Sequence, residues 1–305
     1  MGQTAPEPGQ LAMRPWDQGF FNGQPSANRV SEALAGIAIP PGLDWLRTQT
    51  ILTSVPRQRM LEALPPLHPW QSVLDAGSGL GAMALELALR TGCQVVGIDS
   101  DPEALQCAAR LAEALTDLSP DVRWMQAAAE DLPFASGQFD GITARFLLQH
   151  VPAPDRFVTE AQRVLKPSGW LFIEEVDDGL TLEYPEPPPG WQQLLDAFRQ
   201  LQALNGGDRR IGRKLGPRLK DAGFTVDVRV VSQSQVGRVD QTDPALAWEI
   251  RRVADAVPAM IKAGLIAPGD FENGQAALLA AHPRTTFVTN ATIQLLARKS
   301  AAGLA

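Results

Sequence analysis

Residues 72–81 read SVLDAGSGLG, and residues 95–101 read VVGIDSD. Val73 and Leu74 predict a short buried strand that ends at Asp75. Gly77, Gly79 and Gly81 then predict a sharp backbone turn with room beside it for a ligand, because glycine adopts left-handed dihedrals and carries no side chain. AMALELALR (82–90) predicts a helix, with Gly92 as its stop. Val95 to Ile98 predicts a second buried strand, closed by an acid, Asp99. Strand, glycine loop, helix, strand and acid form half of a nucleotide-binding α/β sheet, in which ligands sit at the carboxyl ends of the strands.

The spacing narrows the ligand. The loop reads D-x-G-x-G-x-G, whereas dinucleotide sites read G-x-G-x-x-G. A pyrophosphate takes the bare amides of a helix N-terminus, and the Asp75 carboxylate beside it would repel that group. A cationic ligand tolerates Asp75. S-adenosylmethionine fits on that ground: it has no phosphate and carries a sulfonium, an ammonium and one carboxylate. Asp99 is placed to accept hydrogen bonds from a ribose diol. Its rival role as a helix N-cap is already filled by Asp101, which precedes Pro102.

Composition sets outer bounds. The 305 residues suffice for one large α/β domain with additions, or for two domains. With 45% hydrophobic and 20% charged residues the chain reads as a soluble globular protein. A net charge of -7 argues against a large nucleic-acid surface. Cys93 and Cys107 lack metal or CxxC spacing and read as reduced packing residues of a cytoplasmic protein. No basic segment followed by an apolar run opens the chain, and no apolar run has membrane-spanning length. The expectation is no signal peptide and no membrane partner.

Four segments follow. Residues 1–66 form an N-terminal arm with two helical patterns, from Gly42 to Leu64. Trp16, Phe20 and Phe21 in it either dock on the core or serve as a lid over the cofactor. Residues 67–232 form the sheet core, with strands at 122–126, at FDGITA and at WLFIEEV, and a sixth at FTVDVRVV. LKPSG reads as a break before the fifth strand, and 177–190 as an acidic, proline-rich loop. Residues 233–283 form a helical insertion. Leu246, Ile250 and Val253 mark the apolar face of one of its helices, and Ala276, Leu278, Leu279 and Ala280 that of the other. Residues 284–305 carry the last strand and a tail.

These motifs in this order resemble the class I S-adenosylmethionine-dependent methyltransferases. The likeness is greatest to the small-molecule branch that includes ubiquinone and menaquinone biosynthesis enzymes. VLDAGSGLG is similar to that family's cofactor loop and VVGIDSD to its ribose-binding strand end. AAAEDLPF (127–134) followed by FD resembles its adenine segment. RFLLQHV and RVLKPSGWLFIEE resemble its fourth strand end, fourth helix and fifth strand. The resemblance covers roughly 71–231 and the final strand. It implies a Rossmann-like seven-stranded sheet whose antiparallel last strand lies between strands five and six. The cofactor set it implies is Asp75, Gly77, Ser78, Gly79, Gly81, Asp99, Ser100, Ala129, Glu130, Arg145 and Phe146. The family often has Asp or Asn where Ala128 stands, which leaves Glu130, Asp131 or water for the adenine amino group.

The expected activity is methyl transfer to a small, partly hydrophobic acceptor by proximity and orientation, without a metal. The alternative is a protein that binds the cofactor to sense or regulate. TARF, after the fourth strand, lacks the Asn/Asp-Pro-Pro-aromatic motif of amide and base methylation. His150 is a candidate general base, or else a local hydrogen-bonding residue. Glu174, Glu175 and Asp177 either touch substrate or form a solvated strand end. The basic residues Arg209, Arg210, Arg213, Lys214, Arg218 and Lys220 flank a buried stripe of Ile211, Leu215 and Leu219, and read as solvent faces or as an anion site. The insertion is expected over the substrate side of the cofactor, with a homodimer through its apolar faces as the alternative.

Overall fold

The computed structural model describes residues 25–118 and 120–300. Helix α1 (Pro25–Gly36), α2 (Asp44–Leu52) and α3 (Ser54–Glu62) precede the sheet. The core then runs β1 (Ser72–Ala76), α4 (Ala82–Thr91), β2 (Gln94–Asp99), α5 (Pro102–Glu113), β3 (Val122–Gln126), β4 (Phe139–Arg145), α6 (Pro154–Val164) and β5 (Leu165–Val176). It continues with β6 (Leu182–Tyr184), α7 (Pro189–Leu204), α8 (Gly212–Asp221), β7 (Phe224–Val239), α9 (Pro244–Lys262), α10 (Asp270–Ala280) and β8 (Arg284–Lys299). Among the described residues no helix is long and apolar enough to cross a membrane.

The strands lie in the order β3-β2-β1-β4-β5-β8, with β7 paired to β8. The first five are parallel, and β8 is antiparallel to both β5 and β7. This is the expected Rossmann-like sheet with its last strand slotted beside strand five. Parallel strands are covered on both faces, so their runs are apolar throughout. Leu74, Leu171 and Ile173 pack with Phe157 of α6 and Leu215 of α8. The alternate residues Val73, Trp170 and Phe172 pack with Met60 of α3 and Leu87 of α4. Cys93 and Cys107 are buried and unpaired. Asp101 caps α5 as expected, accepting from Glu103 N at 2.8 Å.

Four details differ from expectation. LKPSG does not interrupt the fifth strand: β5 begins at Leu165, with an irregular register against β4 between Phe139 and Gly141. The 177–190 segment is not all loop, since Leu182–Tyr184 pairs with Phe287–Thr289 of β8. Strand β7 does not stop near 231. It runs on to Val239, paired throughout with β8 back to Arg284. And α1, packed through the buried Val30 and Leu34, has no counterpart in the sequence reading.

The register of that ribbon positions the insertion. Val176, the last residue of β5, pairs with Thr292, which pairs in turn with Val231. Residues 232–239 therefore extend past the carboxyl end of β5 by roughly 25 Å. Helices α9 and α10 thus leave the sheet at its carboxyl edge and pack on α7, where Trp191 and Leu194 meet Leu246, Val253 and Leu278. Ile250 and Leu279 are partly buried in the same cluster. Ala276 and Ala280 are exposed, so the buried stripe of α10 is narrower than predicted. The main apolar faces of the insertion are covered within one chain. Trp248 Nε1 of α9 donates to Trp45 O of α2 at 3.3 Å, tying the insertion to the arm. Trp16, Phe20 and Phe21 lie outside the described residues.

Candidate functional site

The strand order reverses between β1 and β4, and such a switch point opens a crevice at the strands' carboxyl ends. A cleft lies there. Its floor is Asp75, the loop Gly77–Leu80, Arg145 and Phe146, and its roof comes from Leu46, Gln49 and Thr50 of α2, with Thr53 and Arg57 beside them.

The loop glycines divide into two kinds. Gly77 and Gly79 line the cleft with φ of +71° and +52°, although a Cβ on Gly77 would stand 2.8 Å from Leu147 Cδ1. A side chain on Gly79 would meet nothing nearer than Leu46 Cδ2 at 3.4 Å, so the space beside it is open to a ligand. Gly81 was expected to serve ligand approach as well. Instead a Cβ there would stand 2.5 Å from the Trp124 ring and 2.8 Å from Ala108 Cβ. Its bareness lets Trp124 and α5 close on the start of α4. Ser78 is buried, its N–H donates to Ile98 O at 2.8 Å, and its hydroxyl has no partner.

Asp99 ties the loop to the second strand. Oδ2 accepts from Gly79 N at 2.8 Å and Oδ1 from Asp101 N at 3.0 Å. A carboxylate oxygen has two lone pairs, so each keeps one for a further donor. Ser100 follows Asp99, and Ala127 N donates to Asp99 O at 3.1 Å, which brings the start of the 127–134 segment beside the end of β2. Ala129 is buried and Glu130 is partly buried on that segment. Gly81, Asp99, Ser100, Ala129 and Glu130 are not part of the cleft lining described above; Asp99 reaches it only through its bond to the Gly79 amide.

Asp75 and Arg145 are the charged pair of the floor. Asp75 is 2% exposed; Oδ1 accepts from the Thr143 hydroxyl at 2.7 Å, and Oδ2 is buried without a partner. Burial pushes its pKa up to about 7, the Thr143 bond opposing and the nearby Asp99 adding to the rise. Arg145 Nε donates to Glu174 Oε2 at 2.6 Å and Nη1 to the Thr53 hydroxyl at 3.2 Å, while Nη2 is buried and unpartnered. Its guanidinium stacks 4.1 Å from the centre of the Phe146 ring. Burial pulls the Arg145 pKa down, and Glu174 holds its charge. Phe146 has φ of +55° and donates its N–H to Glu174 O at 2.8 Å.

The strand-five acids are buried, not a solvated end. Alternation turns them to opposite faces. Glu174 takes Arg145, the Thr292 hydroxyl at 2.9 Å and Gln294 Nε2 at 3.1 Å. Glu175 accepts Leu148 N, leaving Oε2 unpartnered, and burial pushes its pKa up to about 8. Asp177 pairs with Arg213. None of the three lines the cleft. His150 does not line it either: the residue is exposed on the turn after β4. Partial desolvation of its ring despite that exposure, then the Arg209 charge, holds its pKa below the usual imidazole value, so the imidazole is neutral at pH 7. The basic run is largely matched by acids. Arg209 pairs with Asp178, Lys214 with Asp208 and Arg218 with Asp155.

Thr53 and Arg57 were not anticipated. Arg57 is 1% exposed, bonds both oxygens of Glu86 at 2.6 and 2.7 Å, and donates to Thr50 O at 2.7 Å. One signal was present: Arg57 stands three and four residues before the buried Met60 and Leu61, on the apolar stripe of its helix.

Comparison with known proteins bears on the family and the fold. Residues 74–173 match the family described as a methyltransferase domain. The uncharacterized 37.1 kDa protein in transposon TN4556 of Streptomyces fradiae is 32% identical over 240 residues, 77% of this chain and 66% of that one. The demethylmenaquinone methyltransferase of Thermus thermophilus is 38% identical over 119 residues, 39% of this chain and 49% of that one. The chain thus spans about half the length of that curated relative. In fold it is similar to Haemonchus contortus phosphoethanolamine N-methyltransferase 2, solved with S-adenosylhomocysteine, with a TM-score of 0.51, 18% identity, and coverage of 81% of this chain and 52% of that one. Sheet order, glycine loop and family match coincide on one segment: residues 74–173 match a methyltransferase domain.

Proposed function

We propose that the chain transfers the methyl group of S-adenosylmethionine to a small, partly apolar acceptor. The observation that carries this reading is a complementary pair of side chains, the Asp75 carboxyl and the Arg145 guanidinium. Both line one cleft, and each holds a buried polar atom without a partner. An unpaired buried polar atom is costly. The aminoacyl end of the cofactor carries an ammonium and a carboxylate, which answer the two in sign. When bound, the cofactor supplies a sulfonium-activated methyl group for in-line displacement.

The chain's residues bind, orient and exclude water. Asp75 takes the ammonium, and Arg145 takes the carboxylate from a guanidinium fixed by Glu174 and Phe146. Asp99 offers its remaining lone pairs to the ribose diol while fixing the Gly79 amide. Ser100, Ala129 and Glu130, at the ends of the next two strands, border the adenine. Helix α2 roofs the cleft, and α9 packs on α2 from the acceptor side. Correct placement of nucleophile and methyl group supplies most of the acceleration such a transfer needs. His150, exposed and outside the lining, is left with the local role of a turn residue.

The net charge of -7 and the ion-paired basic run support a small acceptor over nucleic acid. The buried free cysteines support a reducing, cytoplasmic setting. The test is incubation of the full chain with methyl-labelled S-adenosylmethionine and a panel of small phenols, amines, thiols and carboxylic acids. Acceptor-dependent S-adenosylhomocysteine is the expected result. Tight cofactor binding with no turnover on any acceptor would make the chain a cofactor-binding regulator instead.

A further inference from the structure

Arg252 of α9 is a guanidinium at the junction of the insertion with the core, and its setting is unusual. It lies between two rings: its Cζ is 4.9 Å from the centre of Phe198 and 5.0 Å from that of Trp248. Its Nε is buried and has no hydrogen-bond partner. Among the described residues it forms no ion pair, although other arginines around it do. Arg209 and Arg199 share Asp178, and Arg199 also takes Asp196. Glu249, one turn back on α9, uses Oε1 to accept Trp191 Nε1 at 2.8 Å. Burial pulls the Arg252 pKa down to about 10, with Arg209 adding to the fall and the carboxylates of Glu249 and Asp178 opposing it. On the same face of α7 as Phe198, one turn on, Gln202 holds a second buried atom without a partner, its Oε1.

Two chains of contacts connect the neighbourhood of Arg252 with the cleft. Trp248, one turn before Arg252, bonds Trp45, whose neighbour Leu46 lines the cleft. Arg209 bonds Gln149, whose amide donates to Phe146 O at 3.2 Å, and Phe146 lines the cleft too. A partly buried guanidinium held between aromatic faces, with a buried Nε that no acceptor takes, has a donor left for an oxyanion.

We propose that Arg252, walled by Phe198 and Trp248, is the anchor for an oxyanion, carboxylate or phosphate, borne on an otherwise apolar methyl acceptor. The word acceptor rests on the methyl-transfer reading above; the anion site itself does not. The binding probes are benzoate and phenyl phosphate, with benzamide as the neutral match, titrated into the full chain by calorimetry and by thermal shift. Wild type is expected to bind an anionic probe and not benzamide, and the stronger of the two anions identifies the source. Arg252→Gln is expected to weaken anion binding about tenfold or more, and Arg252→Lys to retain part of it. S-adenosylmethionine affinity, measured on the same variants, should be unchanged. If Arg252→Gln does not fold, the lysine variant and the benzamide comparison still decide.

Equal binding of benzoate, phenyl phosphate and benzamide, or anion binding indifferent to Arg252→Gln, overturns the proposal. The second result is expected if Arg252 and Gln202 simply satisfy one another. Failure of S-adenosylmethionine to bind wild type would instead overturn the methyl-transfer reading and leave the anion result standing.

Discussion

Asp75 is the residue whose chemistry differs most from its sequence appearance. In the motif it is one acid before a glycine loop; in the fold it is buried, with a pKa near 7. A carboxyl raised in the folded state binds more protons there than in the unfolded chain. The stability tied to it therefore falls as pH rises from about 4 to about 7, and is level above. Asp75→Asn removes that titration. The melting temperature of the variant minus that of wild type should climb across this window in matched buffers, and parallel profiles would show that Asp75 is not perturbed. A cation arriving at Asp75 lowers its pKa, so cofactor binding at pH 6 should release a proton, seen as a heat that depends on buffer ionisation enthalpy. The position of Asp75 was legible, because the glycines beside it demand left-handed dihedrals. Its protonation was not, because Thr143 and the buried surroundings come from strands far along the chain. For the same reason Glu174, Glu175 and Asp177 read as a solvated end: their partners Arg145, Thr292, Leu148 and Arg213 are remote in sequence.

At the scale of elements, periodicity made the parallel strands and their helices readable, since each is specified by its own buried stripe. The misses share a cause. Residues 232–239 of β7 pair with β8 alone, and Ser232 and Val236 to Arg238 are exposed, so no buried stripe is written into that stretch. Strand β6 is three residues held by the same partner. Among its described side chains, helix α1 buries Val30 and Leu34, in a stretch with Pro, Ser, Asn and Gly. Helix α3 was legible as a helix, but the ion pair that locks it to α4 was not. Arg57 and Glu86 are 1% and 2% exposed, so removing one partner strands a buried charge. Glu86→Ala should cost about 3–5 kcal/mol in urea unfolding, and Arg57→Met with Glu86→Leu should recover much of it. A Glu86→Ala cost below about 1 kcal/mol, the range of exposed pairs, would show that the pair is solvated.

For the molecule as a whole, the sheet places a cleft at its switch point and the long ribbon carries two helices to the same side. Helix α2 connects them, lining the cleft through Leu46 and Thr50 and receiving Trp248 from α9 at Trp45. The insertion was legible as an excess of helical sequence between two strands. Its side of the sheet followed from strand direction, and the Trp45–Trp248 bond that joins it to the arm did not. If α2 and α9 cap the site together, S-adenosylmethionine should slow amide exchange in both α2 and the Trp248 turn; protection confined to the glycine loop would separate the insertion from the site. The central claim is that the cleft between β1 and β4 holds the cofactor through Asp99 and the bare loop. Calorimetric titration of S-adenosylmethionine into the full chain tests it. One site per chain is expected, with affinity reduced about tenfold or more in Asp99→Ala and abolished in Gly79→Val. No binding by wild type, or equal affinity in wild type and both variants, would contradict it.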